Sequence, residues 1–274
     1  MAAKICLITG ASSGIGNATA LELMRAGHTV YGAARRMAKM DALRGAGGHV
    51  LPMDVTNEAD LERVVHTVLD EQGRIDVLVN NAGIGVYGAA EDVPMEQARN
   101  QFEVNVFGPA RLIQLVLPHM RRQGSGTIVN VSSIAGEIAL PLGAWYYASK
   151  HALEAYSDTL RQEVKRFGVN VVIIQPGIVK TEFDSGTTQG LRENSGKGAY
   201  RDVAEAMARK AETAMGGGSK ASDPRVVAQA IRKAVESVSP KPRYPVGYMA
   251  GTLLRLNKLL PDRAFDSLVS RPPK

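Results

Sequence analysis

Short, nearly continuous apolar runs alternate with longer amphipathic stretches along most of the chain. Residues 4–9 (KICLIT), 29–34 (TVYGAA), 49–55 (HVLPMDV), 75–80 (IDVLVN), 126–132 (GTIVNVS) and 170–176 (NVVIIQP) read as strands. They lack a strict polar–apolar alternation, which is the pattern of parallel strands covered on both faces. Between them, GIGNATALELMRAG closes on Gly27, a residue type that ends helices. The stretch TNEADLERVVHTVLDEQG offers Thr56 and Asn57 as caps, acids in its first turn and Gly73 as its stop. Residues 94–122 and 144–167 predict two further long helices, and 223–237 a last one. Alternation of this kind predicts an α/β fold, a doubly wound parallel sheet flanked by helices. Residues 184–222, rich in Gly, Ser and Thr and ending GGGSKASDP, read as a mobile substrate lid inside one domain spanning 1–274. Residues 223–274 read as a C-terminal helical extension.

Composition changes this picture little. The 274 residues are 45% hydrophobic and 22% charged, ordinary for one large globular domain. The single cysteine, Cys6, sits in the apolar run KICLITG, which excludes an intramolecular disulfide, fits a cytoplasmic location and marks a core position. The opening MAAKICLITGASSG is too short in apolar residues for a secretory signal, and no run approaches the roughly 20 needed to cross a bilayer. The net charge of +6 is unevenly placed: residues 184–274 hold 16 Lys and Arg against 9 Asp and Glu, and the rest 17 against 18. That excess is spread along helical stretches without interleaved aromatics, so a solvated face is expected and nucleic-acid binding is not.

The stretch TGASSGIG, Thr9 to Gly16, leaves the first strand and enters a helix. Gly10, Gly14 and Gly16 remove side chains where a backbone must turn sharply and approach a diphosphate. The helix start behind them offers free N–H groups and a positive dipole end. The spacing departs from G-x-G-x-x-G. The same residues also satisfy G-x-S-x-G, the nucleophile elbow of α/β hydrolases, with Ser12 as nucleophile. That chemistry needs a histidine late in the chain, whereas His28, His49, His66, His119 and His151 leave the last 123 residues without one.

Taken with further motifs in the same order, the chain resembles the short-chain dehydrogenase/reductases. Thr9-Gly10-x-x-x-Gly14-x-Gly16 is similar to the family's cofactor turn, and Asn80 to Gly83 (NNAG) to its motif after the fourth strand. Asn105, Ser133 and Tyr146-x-x-x-Lys150 match its catalytic set, and Pro176 to Thr181 (PGIVKT) its nicotinamide-side loop. These run in family order from residue 4 to about 183. The resemblance implies a Rossmann-type fold and a catalytic set of Asn105, Ser133, Tyr146 and Lys150.

Two adjacent tyrosines compete for the catalytic position. On a helix, residues i and i+4 share a face, so Tyr146 stacks over Lys150 and Tyr147 over His151. Ser133 lies thirteen residues before Tyr146, the family interval, and Tyr147 misses both spacings. Tyr146 is therefore the expected catalyst, with Tyr147 as packing or pocket wall. A free tyrosine, with a pKa near 10, is a poor base at neutral pH. An ammonium about 4 Å away, at an effective dielectric near 20, would favour the phenolate by roughly 4 kcal/mol before desolvation opposes it. The resemblance implies that Ser133 orients the substrate oxygen, that Lys150 also bonds the nicotinamide ribose, and that Asn105 holds a water leading to solvent.

The second strand ends in Ala33 and Ala34 followed by Arg35 and Arg36, with no acid until Asp41. Dehydrogenases that use NAD usually carry an acid there, whereas two guanidinium forks suit a phosphate, so NADP(H) is expected. By family position the cofactor would meet Gly10, Ser12, Ser13, Gly14, Ile15 and Gly16 at the turn, and Arg35, Arg36, Asp54 and Val55 at its adenine end. Asn81, Ala82, Gly83, Tyr146 and Lys150 would line the ribose side, and Pro176, Gly177, Val179 and Thr181 the nicotinamide. Ile84, Val86, Leu140, Leu142 and Phe183 are the expected substrate wall, apolar and uncharged, which favours a lipophilic carbonyl or alcohol. No metal is expected. The C-terminal segment is loosely similar to the hydroxysteroid and retinol dehydrogenase branch. Residues 247–260 (GYMAGTLLRLNKLL) read as a helix over the pocket or a subunit contact in preference to a membrane-surface helix. Family resemblance implies a homodimer or homotetramer built on the helices near 94–122 and 144–167. The alternative, a non-catalytic NADP-sensing protein, is disfavoured by the complete catalytic set.

Overall fold

The computed structural model describes residues 2–216 and 219–269. Residues 217 and 218 of the expected lid and the last five of the expected extension lie outside the described residues.

Seven strands, β1 (Ile5–Thr9), β2 (Thr29–Ala34), β3 (His49–Pro52), β4 (Val77–Asn80), β5 (Gly126–Val131), β6 (Val169–Pro176) and β7 (Arg243–Val246), form one sheet. Their order is β3-β2-β1-β4-β5-β6-β7, with every neighbouring pair parallel. Helices cover both faces of this Rossmann-type sheet, which explains the continuous apolar runs. In β1, Leu7 faces one layer with Val64, Leu112 and Leu160, while Cys6 and Ile8 face the other with Leu23, Leu43 and Ile231. Cys6 is fully buried, and burial raises its thiol far above the ordinary range, so it serves as core.

The layer facing Cys6 and Ile8 comes from α1 (Gly14–Arg25), α2 (Asp41–Gly45) and, late in the chain, α9 (Pro224–Glu236). The opposite layer begins with α3 (Glu58–Gln72), where Asn57 Oδ1 accepts from the Asp60 N–H at 3.0 Å and Gly73 closes the helix at φ +70°. The expected helix at 94–122 is divided into α4 (Met95–Phe102), one π-helical turn (Glu103–Phe107) and α5 (Gly108–Gln123). The wider turn carries Asn105 to the interior, where it is almost fully buried. α6 (Ala144–Val164) follows and carries both tyrosines and Lys150.

Within the expected lid, residues 183–215 fold as two helices, α7 (Phe183–Ser195) and α8 (Arg201–Met215). Arg192 ties them together, donating to Glu205 at 2.9 Å and Glu212 at 2.5 Å. After α9 (Pro224–Glu236), β7 adds an unanticipated edge strand, which tolerates Pro245 because one of its sides is unpaired. Arg243 in β7 donates to the buried Glu154 at 3.0 Å and to Asp158, both on α6. Finally α10 (Ala250–Leu259) and α11 (Asp262–Val269) pack Leu254 and Phe265 against Ile138. No described helix is long and apolar enough to cross a membrane.

Candidate active site

Strand order reverses between β1 and β4, and a cleft of about 610 Å³ opens there at the carboxyl ends of the strands. Its floor is the glycine turn. Gly10 and Gly14 adopt φ of +66° and +53°, a region that costs other residues about 1–2 kcal/mol. A Cβ on Gly10 would come within 2.9 Å of the Ala82 backbone, and one on Gly16 within 2.3 Å of the Gly10 carbonyl oxygen. Gly16 thus packs inside the turn and does not line the cleft. The NNAG segment is laced to the same turn. Thr9 Oγ1 accepts from the N–H groups of Asn81 (3.0 Å) and Ala82 (2.9 Å), and Asn81 Nδ2 donates to the Thr9 carbonyl at 3.0 Å.

Ser12, Ser13, Gly14 and Ile15 line the cleft at the amino end of α1, and the Ser13 side chain makes no capping bond there. The first N–H groups and positive dipole of α1 therefore face the space, as a diphosphate requires. Asn81, Ala82, Gly83, Asp54 and Val55 line it too, as do Pro176, Gly177, Val179 and Thr181. A cradle that side chains would fill, a helix start and two arginines together fit a dinucleotide. The arginines diverge. Arg35 lies 3.8 Å from Asp54, whereas Arg36 donates to Ser13 Oγ at 2.9 Å and to Glu182 at 2.8 Å. Lys39 also donates to Glu182, at 2.6 Å. Neither Lys39 nor Glu182 was anticipated, because they are 143 positions apart in sequence.

Ser133, just past β5, accepts from the Ala135 N–H at 3.1 Å, and its Oγ lies 3.5 Å from the Pro176 carbonyl. Tyr146 and Tyr147 are both buried and both line the cleft. The Tyr146 ring sits among Tyr87 (5.3 Å between centroids), Phe183 (5.5 Å) and Tyr147 (5.9 Å). Lys150 Nζ lies 6.0 Å from the centre of that ring and donates to the Val131 carbonyl at 3.0 Å. Burial pulls Lys150 down to about 8, with the Glu154 carboxylate one turn later opposing it. Tyr147 has a different environment: burial, then neighbouring Tyr146, pushes its hydroxyl well up.

Asn105 holds both polar groups of one residue, accepting from the Ile84 N–H and donating to the Ile84 carbonyl, each at 2.9 Å. Its Nδ2 also donates to Ser149 Oγ (3.1 Å), which donates to the Tyr146 carbonyl (2.8 Å). The side-chain amide thus joins the loop after NNAG to the start of α6. Ile84, Leu140 and Phe183 line the cleft, and Val86 and Leu142 lie outside it. The Val86 N–H is taken by buried Gln101, and Leu142, at φ +58°, packs into a separate cluster with Ala89, Leu191 and Ala204. Tyr87, Ala135 and Ile138 complete the apolar wall and were missed. Their only signal was nearness to NNAG and Ser133. Among the described residues, no group of three or more His, Cys, Asp or Glu is placed to hold a metal.

The family model for short chain dehydrogenases matches residues 4–192. The chain is 38% identical over 273 residues to a probable short-chain type dehydrogenase/reductase of Helicobacter pylori, covering 96% of each. It is 37% identical over 268 residues to a 3-ketodihydrosphingosine reductase of Bacteroides thetaiotaomicron, covering 97% of this chain and 96% of that protein. A short-chain dehydrogenase structure from Streptomyces avermitilis superposes with a TM-score of 0.82 at 35% identity, over 98% of this chain and 95% of that one. Similar structures carry either dinucleotide. One, from Burkholderia phymatum in complex with NAD, has a TM-score of 0.78 at 26% identity, over 99% and 97%. An actinorhodin polyketide ketoreductase with NADPH has 0.76 at 30%, over 88% and 94%. The protein belongs to the short-chain dehydrogenase family, nicotinamide-dependent oxidoreductases acting on alcohol and carbonyl groups.

Proposed function

We propose that this enzyme uses NADP(H) to interconvert a lipophilic ketone and its secondary alcohol, with Tyr146 as general acid and base. The observation that carries this reading is the Tyr146–Lys150 pair beside Ser133, at the inner end of a dinucleotide-shaped cleft. When bound, the cofactor supplies the hydride. Ser133 Oγ orients the substrate oxygen, and Tyr146 gives that oxygen its proton during reduction and takes it back during oxidation. The Lys150 ammonium stabilises the phenolate left behind. Asn105 acts at one remove, fixing Ile84 and the start of α6.

Arg36, which lines the cleft with one guanidinium nitrogen on Ser13, supports recognition of a 2′-phosphate, with Lys39 close by. The wall formed by Ile84, Tyr87, Ile138, Leu140 and Phe183 carries no charge, supporting a lipophilic substrate. The likeness to a 3-ketodihydrosphingosine reductase makes long-chain 3-oxo lipids the first compounds to test. Exposed Met95 and Phe107, on α4 and the π-helical turn, support a homodimer or homotetramer through that face. The cofactor assignment is tested by measuring kcat/KM with NADPH and NADH for the wild type and Arg36→Ala. A preference for NADPH that falls at least about tenfold in the variant supports it. Equal use of both cofactors by both proteins would refute it.

A further inference from the structure

We propose that Glu182 is an internal competitor for the 2′-phosphate of NADP(H), and that it sets how strongly the enzyme discriminates between phosphorylated and unphosphorylated cofactor. This rests on the NADP(H) reading above. Glu182 follows the nicotinamide-side loop, yet its carboxylate reaches across the cleft to the adenine-side cations. One oxygen accepts from Arg36 at 2.8 Å and the other from Lys39 at 2.6 Å. Glu182 occupies one nitrogen of the Arg36 fork and the Lys39 ammonium, donors that a phosphate also takes, so the two anions compete for them.

Two observations set this contact apart from an ordinary surface pair. Glu182 is the N-cap residue of α7, but its side chain makes no capping bond to that helix. Its carboxylate is turned to the cations instead. In addition, Arg36 is shared: while one guanidinium nitrogen holds Glu182, another holds Ser13 Oγ, at the mouth of the glycine turn. The donors are thus gathered around a carboxylate beside the diphosphate turn. Lys39 and then Arg36 hold Glu182 below the usual carboxylate range, so it stays ionised at neutral pH.

The pairs are about half exposed, so the competition is modest. A phosphate dianion on the same donors displaces a single carboxylate, at the cost of a few-fold in affinity. The same contact anchors the start of α7 one residue before Phe183, whose ring lies over Tyr146.

Adenosine 2′,5′-bisphosphate and 5′-AMP differ only in the relevant phosphate, and calorimetric titration reads their binding without turnover. Glu182→Gln keeps the side chain's size and is expected to tighten the bisphosphate about three- to tenfold while leaving 5′-AMP unchanged. Glu182→Asp, which keeps the charge, should stay near the wild type. No change in Glu182→Gln, or an equal change for both nucleotides, would overturn the proposal. Arg36→Ala separates the two levels of the claim. If it weakens the bisphosphate selectively while Glu182→Gln changes nothing, the cofactor reading stands and the competitor falls. If wild type and Arg36→Ala bind both nucleotides alike, both fall.

Discussion

Lys150 donates to the Val131 carbonyl at 3.0 Å while its ammonium lies 6.0 Å from the centre of the Tyr146 ring. The bond to β5 fixes the cation between the sheet and the tyrosine one turn earlier on α6. Tyr147, next in the chain, faces the same cleft, and burial raises its hydroxyl. Both phenols are buried, and it is the Lys150 cation near the Tyr146 ring that separates two residues that sequence places side by side.

On the proposed mechanism, activity depends on the Lys150 proton. With Lys150 pulled down to about 8, the ammonium is present below that pH and lost above it. Carbonyl reduction is expected to decline above about pH 8. Glu154→Gln removes the charge that opposes the shift, so the alkaline limb should move to lower pH. A pH–rate profile of both proteins checks this, and an unmoved limb would detach Glu154 from the site.

The same burial has a stability cost of known sign. Lys150 titrates lower folded than unfolded, so below about pH 8 both states carry the proton and the folded state bears a buried cation. Between about 8 and the unfolded value of 10.5 the folded state loses its proton first, and this contribution to stability rises with pH. Lys150→Met is therefore expected to stabilise the fold at pH 7 by roughly 1–3 kcal/mol while abolishing turnover. Urea denaturation at pH 7 and pH 10 measures it, and the gain should shrink at the higher pH.

Asn105→Leu should act in the opposite direction. It removes three hydrogen bonds and leaves both polar groups of Ile84 without the amide that holds them. A loss of about 2–4 kcal/mol is expected, read as a lower urea midpoint with unchanged slope. Turnover should fall with it, because Ser149 and the Tyr146 backbone belong to the same chain of bonds.

Much of this site is legible in sequence because it is built from local signals. Gly10, Gly14 and Gly16 announce a backbone that admits no Cβ, and Tyr146 and Lys150 share a helix face by spacing alone. The apolar runs located six strands, five of them through burial on both faces and the edge strand β3, which is only partly buried, through its apolar run alone. β7 was hidden because Arg243 and Pro245 are poor strand residues, tolerated only at an edge and beside Glu154 and Asp158. The helices at 183–215 were hidden by their Gly, Ser and Thr content, which Arg192 offsets through Glu205 and Glu212. Leu142 was assigned to the wall by proximity, and at a left-handed backbone it packs with Ala89 and Leu191 instead. Contacts such as Glu182 with Arg36 span 146 positions and have no local signal.

Arg243 gives the C-terminal segment a measurable role. Its replacement by Met leaves the buried Glu154 without its cation, and a loss of about 3–5 kcal/mol is expected. Burial would raise Asp158, but the bonds from Arg243 and Arg161 outweigh it and hold the carboxyl low. That contribution is present above the ordinary aspartate range and is lost as pH falls through the lowered value. Acid denaturation of Arg243→Met should therefore begin at higher pH than that of the wild type.

The most direct test of the account compares Tyr146→Phe with Tyr147→Phe in the consumption of NADPH with a long-chain 3-oxo lipid that the wild type reduces. Loss of a positioned general acid should cost roughly 10²–10⁴ in kcat, with cofactor affinity unchanged, in Tyr146→Phe. Tyr147→Phe should stay within a few-fold of the wild type. Turnover that survives Tyr146→Phe and disappears in Tyr147→Phe would contradict the assignment of the catalyst.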